Sequence, residues 1–258
     1  MIAKLFGIMV VASFSLAGMA CVPLGSIVGR GPVETHSQDF SGFTKLEIFS
    51  TFNVEVVRDA SYSVTVTTNQ NIFDYLDFQK DGDTLKVKLK TGSYTVASLK
   101  AKVTLPNLAS LEVNGASYAS LNGFTSTSSL KLTASGASTI ELVGAKCGDL
   151  TADISGASRI KGTLESGNAI IDLSGASNVS LSGRAQNLNV TSSGASHVTL
   201  TEFTTSSAKV NFSGASSGDV NTSGRLDLSL SGASSLKYHG NATLGDVNVT
   251  GASSLNKG

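Results

Sequence analysis

The tripeptide Gly-Ala-Ser occurs eight times, starting at Gly115, Gly136, Gly156, Gly175, Gly194, Gly214, Gly232 and Gly251. The steps between them are 21, 20, 19, 19, 20, 18 and 19 residues. A repeat this short cannot bury an apolar face alone, so copies must stack to share one continuous core. The constraint bears on fold far more strongly than on function.

Apolar residues are phased to the glycine. Four residues before it stand Leu111, Leu132, Ile171, Val190, Val210 and Leu228, and two before it Val113, Ile154, Leu173, Phe212 and Leu230. Four residues after it come Ile140, Ile160, Val179, Val198 and Leu236, with Leu121, Leu142, Leu181 and Leu200 two further on. Alternation of this kind is a strand with one buried face. Each repeat therefore holds two strands around a corner of small residues. Glycine accepts backbone angles that a side chain forbids, and serine hydroxyls bond turn backbone. A second corner follows, often at glycine: Gly123, Gly144, Gly162, Gly183 and Gly240. No proline follows Pro106, as strands that need every N–H for a ladder require. The expected fold is an all-β parallel β-helix, a solenoid of 19–20 residues per coil. A β-propeller is the rival, but its blades need about 40 residues and four strands. Serine, threonine, glycine and asparagine are expected at outward positions.

Within the 258 residues, nineteen bases balance nineteen acids, and only 15% of residues are charged. There is no basic stripe and no aromatic platform, so nucleic acid is excluded as a partner. Residues 1–20 read as a signal peptide, with Lys4, an apolar run from Leu5 to Ala17 and small residues before Cys21. The run is too short for a comfortable membrane span. Leu16-Ala17-Gly18-Met19-Ala20-Cys21 resembles a bacterial lipobox, although Gly18 stands where leucine is usual. Cys21 is the expected lipidation site, with cleavage by an ordinary signal peptidase as the alternative. Val22 after the cysteine favours the outer membrane over a periplasmic or secreted product. Cys147 reads as a free thiol near a corner. Residues 21–39 read as a tether, 40–108 as an irregular β-rich part, and 109–258 as the repeat solenoid. Asn71 to Leu76 reads as a short helical turn.

Within residues 40–108 the chain gives Phe43, Leu46 and Ile48, then Phe52-Asn53-Val54-Glu55-Val56, Val64 and Val66, Asn69, Asn71-Ile72, Leu85 and Val87. Val103-Thr104-Leu105-Pro106-Asn107-Leu108 then runs into Leu111 and Gly115-Ala116-Ser117. In this order and spacing the sequence resembles the head GIN domain family, described as autotransporter adhesins, from Phe40 to Gly258. The resemblance implies a right-handed β-helix on an exported, often lipid-anchored protein that binds surfaces. It offers no catalytic residues to carry over.

Stacking makes residues one period apart into neighbours, so candidate chemistry is read down columns. Asp153 and Asp172 share a column, as do Asp227 and Asp246, each pair about 5 Å apart on the strand spacing. Such pairs fit a retaining glycosidase, a Ca²⁺ site needing six to eight oxygens, or solvated surface; the last is the expectation. Glu141 with Lys161, and Asp219 with Lys237, should pair across coils. His36 falls in the tether, and His197 and His239 read as surface or edge residues with no metal partners. No catalytic, cofactor-binding or metal-ligating residue is assigned. The expectation is a non-enzymatic, adhesin-like envelope module, with a glycan or protein as partner. The rivals are a polysaccharide-binding or polysaccharide-degrading β-helix and a self-assembling envelope component. The final coil lacks a cap segment in this sequence, and its short charged strand is expected to leave the protein monomeric or weakly oligomeric.

Overall fold

The computed structural model describes residues 25–258. The signal peptide and Cys21 lie outside the described residues. Among the described residues, no helix is long and apolar enough to cross a membrane.

The Gly-Ala-Ser repeats stack as parallel coils. The strand before the glycine forms one side: Ser110–Val113, Leu130–Ala134, Leu150–Ile154 and Asn168–Leu173 pair in sequence order and in register. The strand after it forms a second side, from Tyr118–Asn122 through Thr139–Lys146 and Arg159–Glu165. A third side arises where the second strand bends and continues. Leu164 lies beside Gly183, and Gly183 beside Phe203. The bends sit at the second glycine, with φ of 64° at Gly144, 122° at Gly162 and 115° at Gly183.

The phase assignment holds: Leu132, Ile154, Ile171, Val190, Val210 and Leu228 are all buried. Volume is conserved across coils. Phe212 fills the core where its neighbours carry Ser192 and Leu230, and Gly218 makes room, since a Cβ there would lie 3.2 Å from the Phe212 ring. In the last coil Leu244, Val247 and Val249 are partly exposed.

The corners form one column. From the second Gly-Ala-Ser onward the alanine N–H donates to the glycine carbonyl of the previous coil, as from Ala176 to Gly156 at 2.8 Å. From Gly136 onward every corner glycine has φ between 71° and 77°, and a Cβ would lie 2.4–2.7 Å from that same carbonyl oxygen. Glycine is thus required twice over, for conformation and for close approach. The corner serines bond turn backbone as expected, and they do so from the inside of the coil. Ser138, Ser158, Ser177, Ser196, Ser216 and Ser234 are buried, while glycine and alanine face solvent. The burial is tolerable because most of the hydroxyls find partners, the buried Ser117 hydroxyl being the one corner serine among the described residues without one. Ser177, Ser196, Ser216 and Ser234 each donate to the carbonyl three residues earlier, at 2.6–3.0 Å.

The first coil precedes the first Gly-Ala-Ser. We label the early strands β1 (Ile27–Val28), β2 (Val33–Gln38), β3 (Lys45–Ile48), β4 (Asn53–Arg58), β5 (Ser63–Asn69), β6 (Leu76–Asp81), β7 (Thr84–Leu89), β8 (Tyr94–Thr95) and β9 (Leu99–Leu105). β3 pairs in parallel with Ser110–Val113, and β4 with Tyr118–Asn122. Ser50 occupies the corner position with φ 71°, and its carbonyl accepts the Ala116 N–H. On the far side of this coil β7 joins β3 and β9 joins β4, still in parallel. Antiparallel strands then close the end: β6 on β7, β5 on β9, and β2 on β5. The expected helical turn is a 3-10 helix, Gln70–Tyr75.

The tether expected over residues 21–39 is corrected for residues 27–38. β1 pairs with β8 and β2 with β5. His36 is not on a tether: its ring stacks on Phe73 with centroids 3.9 Å apart, and Nε2 lies 3.1 Å from Glu34. The tether reading failed because Val33-Glu34-Thr35-His36-Ser37-Gln38 carries little apolar signal. Its ladder to β5 holds it instead, with Thr35 and Thr67 hydroxyls 2.7 Å apart.

Candidate functional site: the outer face of the first side

On the first side, odd positions before the glycine point outward. Three before it, Thr133, Asp153, Asp172, Thr191, Asn211, Ser229 and Asn248 pair in one column along the rod. Five before it run Lys131, Thr151, Ile170, Asn189, Lys209 and then Asp227. Seven before it, Asn168, Asn187 and Ser207 form a third column. Three shallow hollows of about 380, 370 and 420 Å³ follow one another on this face, around Asp172, Ile170 and Asp227.

The acid pairs are neighbours as expected. Asp153 stands opposite Asp172 in register. Lys131 reaches Asp153 at 3.1 Å. Asp227 and Asp246 are bridged by one guanidinium: Arg225 Nη2 lies 2.7 Å from Asp227 and 3.1 Å from Asp246. A register shift between Leu226 and Leu228 brings Asp246 N–H onto Asp227 Oδ1 at 2.7 Å. The Arg225 hydrogen bond, helped by that N–H, holds the Asp227 carboxyl below its ordinary value. A carboxylate so held is a poor proton donor near neutrality. Sequence reasoning missed Arg225 because it lies two residues from Asp227 and a coil from Asp246. Among the described residues, no group of three or more His, Cys, Asp or Glu side chains converges as metal ligands would.

On the other sides charges pair across coils. Lys161 meets Glu141 at 3.2 Å. The Tyr118 hydroxyl also donates to Glu141, which lowers that carboxyl below its ordinary value; burial first, then this bond, pushes the tyrosine up to about 12. Glu165 is held between Arg184 at 3.0 Å and Lys146 at 3.6 Å. The expected Asp219 pairing with Lys237 is corrected. The two are opposite in register, but the Asp219 carboxylate is taken by His239 Nε2 at 3.0 Å. His239 is thus a half-buried partner of Asp219, not a free surface group. His197 is exposed, its Nδ1 2.8 Å from the Ser217 hydroxyl.

Cys147 is a buried free thiol at the turn from the third side back to the first. Burial, with a smaller push from Asp149, raises it to about 11. The thiolate is the reactive form, so its fraction near pH 8 is about a hundredfold below that of an ordinary cysteine. Iodoacetamide is therefore expected to leave Cys147 largely unmodified in the native protein and to label it fully in about 6 M guanidinium, well beyond the unfolding midpoint of an ordinary domain. Rapid native labelling would contradict the burial.

The chain's likenesses agree with this architecture. A family model described as "Putative auto-transporter adhesin, head GIN domain" matches residues 42–242. Among solved structures, a putative adhesin from Parabacteroides merdae is 15% identical, with a TM-score of 0.84, covering 90% of this chain and 99% of its own. A "putative lipid binding protein" from Parabacteroides distasonis is 20% identical, with the same TM-score and coverage. A putative adhesin from Bacteroides fragilis is 16% identical, with a TM-score of 0.72, covering 90% and 100%. At such identities the likeness speaks for the fold alone. No functionally curated protein matches the chain.

Proposed function

The chain belongs to the head GIN domain family, and on that premise we propose that it is a non-enzymatic, adhesin-like module of the cell envelope that holds a polymer along its first side. The observation that carries this reading is the set of in-register polar columns on one outer face. A repeating surface matches a repeating ligand, because each coil offers the next unit an equivalent set of donors and acceptors. The acids on this face favour binding over catalysis. Asp153 is engaged by Lys131, and Asp227 and Asp246 by Arg225. A retaining glycosidase instead needs one carboxyl group free to give and take a proton and a second free to attack the sugar carbon. The adhesin descriptions of the family and of two structural relatives agree in direction. We propose further that the module sits at the outer membrane, anchored through a lipid on Cys21, and acts as a monomer or weak oligomer.

Purified protein on an array of envelope polysaccharides tests the binding reading. The expected result is saturable retention with no release of shortened chains on long incubation. Cleaved product would favour an enzyme, and no retention on any polysaccharide would remove the proposal. In cells, Cys21→Ser is expected to release the protein from membranes or block its processing.

A further inference from the structure

We propose that the hollow between Asn168 and Arg225 is a subsite for neutral polysaccharide. This rests on the polymer-binding reading above and gives it a place and a ligand class. The hollow, of about 370 Å³, is within the ~300–1,000 Å³ range of small-ligand clefts. Its floor is Ile170, 42% exposed and the one apolar member of a column that otherwise reads Lys131, Thr151, Asn189 and Lys209. A single exposed apolar side chain means little alone. Here it lies beside the amides of Asn168 and Asn189, an arrangement that offers a sugar's C–H face an apolar contact and its hydroxyls polar partners.

One wall is a pinned amide column. Asp149 Oδ1 accepts both the backbone and side-chain N–H groups of Asn168 at 2.8 Å. Asn187 Nδ2 donates to Asn168 Oδ1 at 2.7 Å, and Ser207 donates to Asn187 Oδ1 at 2.7 Å. Each amide has two N–H donors and two acceptor lone pairs, so the chain fixes their orientation without using them up. The columns repeat at the strand spacing of ~4.8 Å, close to the length of one unit of an extended pyranoside chain. Successive sugar units therefore meet successive amides.

The second observation is Asn189. Its Oδ1 is buried and has no hydrogen-bond partner. An unmet buried acceptor is costly, and Asn189 lines this hollow beside Ile170. A ligand hydroxyl that reached this oxygen would supply the missing donor. The uncharged amides, hydroxyl and apolar side chain around Ile170 favour a neutral chain; the charges, Lys209 and Arg225 against Asp227, stand only at the far end, where Arg225 is held by Asp227 and by Asp246 outside the hollow.

Calorimetric titration of the purified protein with cellohexaose, xylohexaose and laminarihexaose, with hexagalacturonate as the anionic probe, tests this. At least one neutral hexaose is expected to saturate at one site. Ile170→Asp and Asn189→Ala should each weaken it by about tenfold or more, with neither variant melting lower than the parent protein. Val143→Thr, on the second side, should leave it unaltered. Undiminished binding in both first-side variants places the site elsewhere and overturns the inference while sparing the proposed function. So does failure of all three neutral probes when the polysaccharide array is positive. Preference for hexagalacturonate overturns the ligand class.

Discussion

Ile171→Asp is expected to destabilise the protein by at least about 4 kcal/mol, because it removes a buried aliphatic chain and inserts a carboxyl where no partner exists. Ile171 is fully buried, between Ala152 and Val190 of the adjoining coils. The introduced carboxyl would have a raised pKa in the folded state, since burial penalises its charged form. The folded state would then bind more protons than the unfolded one between the ordinary and the raised pKa, so the deficit should shrink as pH falls from neutrality toward the ordinary carboxylate pKa and be largest above the raised one. Urea unfolding at about pH 4, near the ordinary carboxylate pKa, and at about pH 7 checks both size and sign. An unchanged transition would contradict the inward phase of the repeat. Because coils contact only their neighbours, the loss should open the middle of the rod before its ends.

Gly175→Ala should cost about 2–4 kcal/mol, through a left-handed conformation that L-residues resist and a direct clash. Gly175 has φ 77°, and a Cβ would lie 2.6 Å from the Gly156 carbonyl oxygen. That oxygen accepts the Ala176 N–H, so relieving the clash stretches the corner ladder. Gly144→Ala separates the two contributions. Gly144 has φ 64°, and a methyl group there would meet nothing within 4 Å, so only the conformational cost of about 1 kcal/mol remains. Equal losses in the two variants would mean that stacking distance does not constrain the corner.

The repeat was legible because one physical signal, apolar phase, recurs eight times against a fixed glycine. What escaped reading was the coil that lacks the glycine. Leu46 and Ile48 stand before Ser50, and Val54 and Val56 after it, at the offsets that Leu111, Val113, Ala119 and Leu121 hold around Gly115. Aligning on apolar phase instead of on Gly-Ala-Ser would have found it. Ser50 holds the positive φ that glycine holds elsewhere. Phe52, in the serine position, is buried and packs edge-on against Phe78 of the cap. The cap was illegible for another reason. β5 and β6 alternate like any strand, β2 carries little apolar signal at all, and nothing local says that they pair antiparallel.

On the first side, the columns could be read from sequence because period converts directly into proximity. The bridging by Arg225 could not, since it depends on a register shift near Leu228. Nor could the inward turn of the corner serines. Three small residues in a row carry no apolar phase, and only the hydroxyl-to-carbonyl bonds reveal which one is buried.

The claim that the first side is the working face is tested most directly by amide chemical-shift mapping of isotope-labelled protein titrated with a retained polysaccharide. The account predicts shifts concentrated in Asn168–Leu173 and in residues 187–192, 207–212 and 225–230, falling away on the second side and in the cap. Shifts confined to residues 27–105, or to the second-side strands from Tyr118–Asn122 onward, would contradict it.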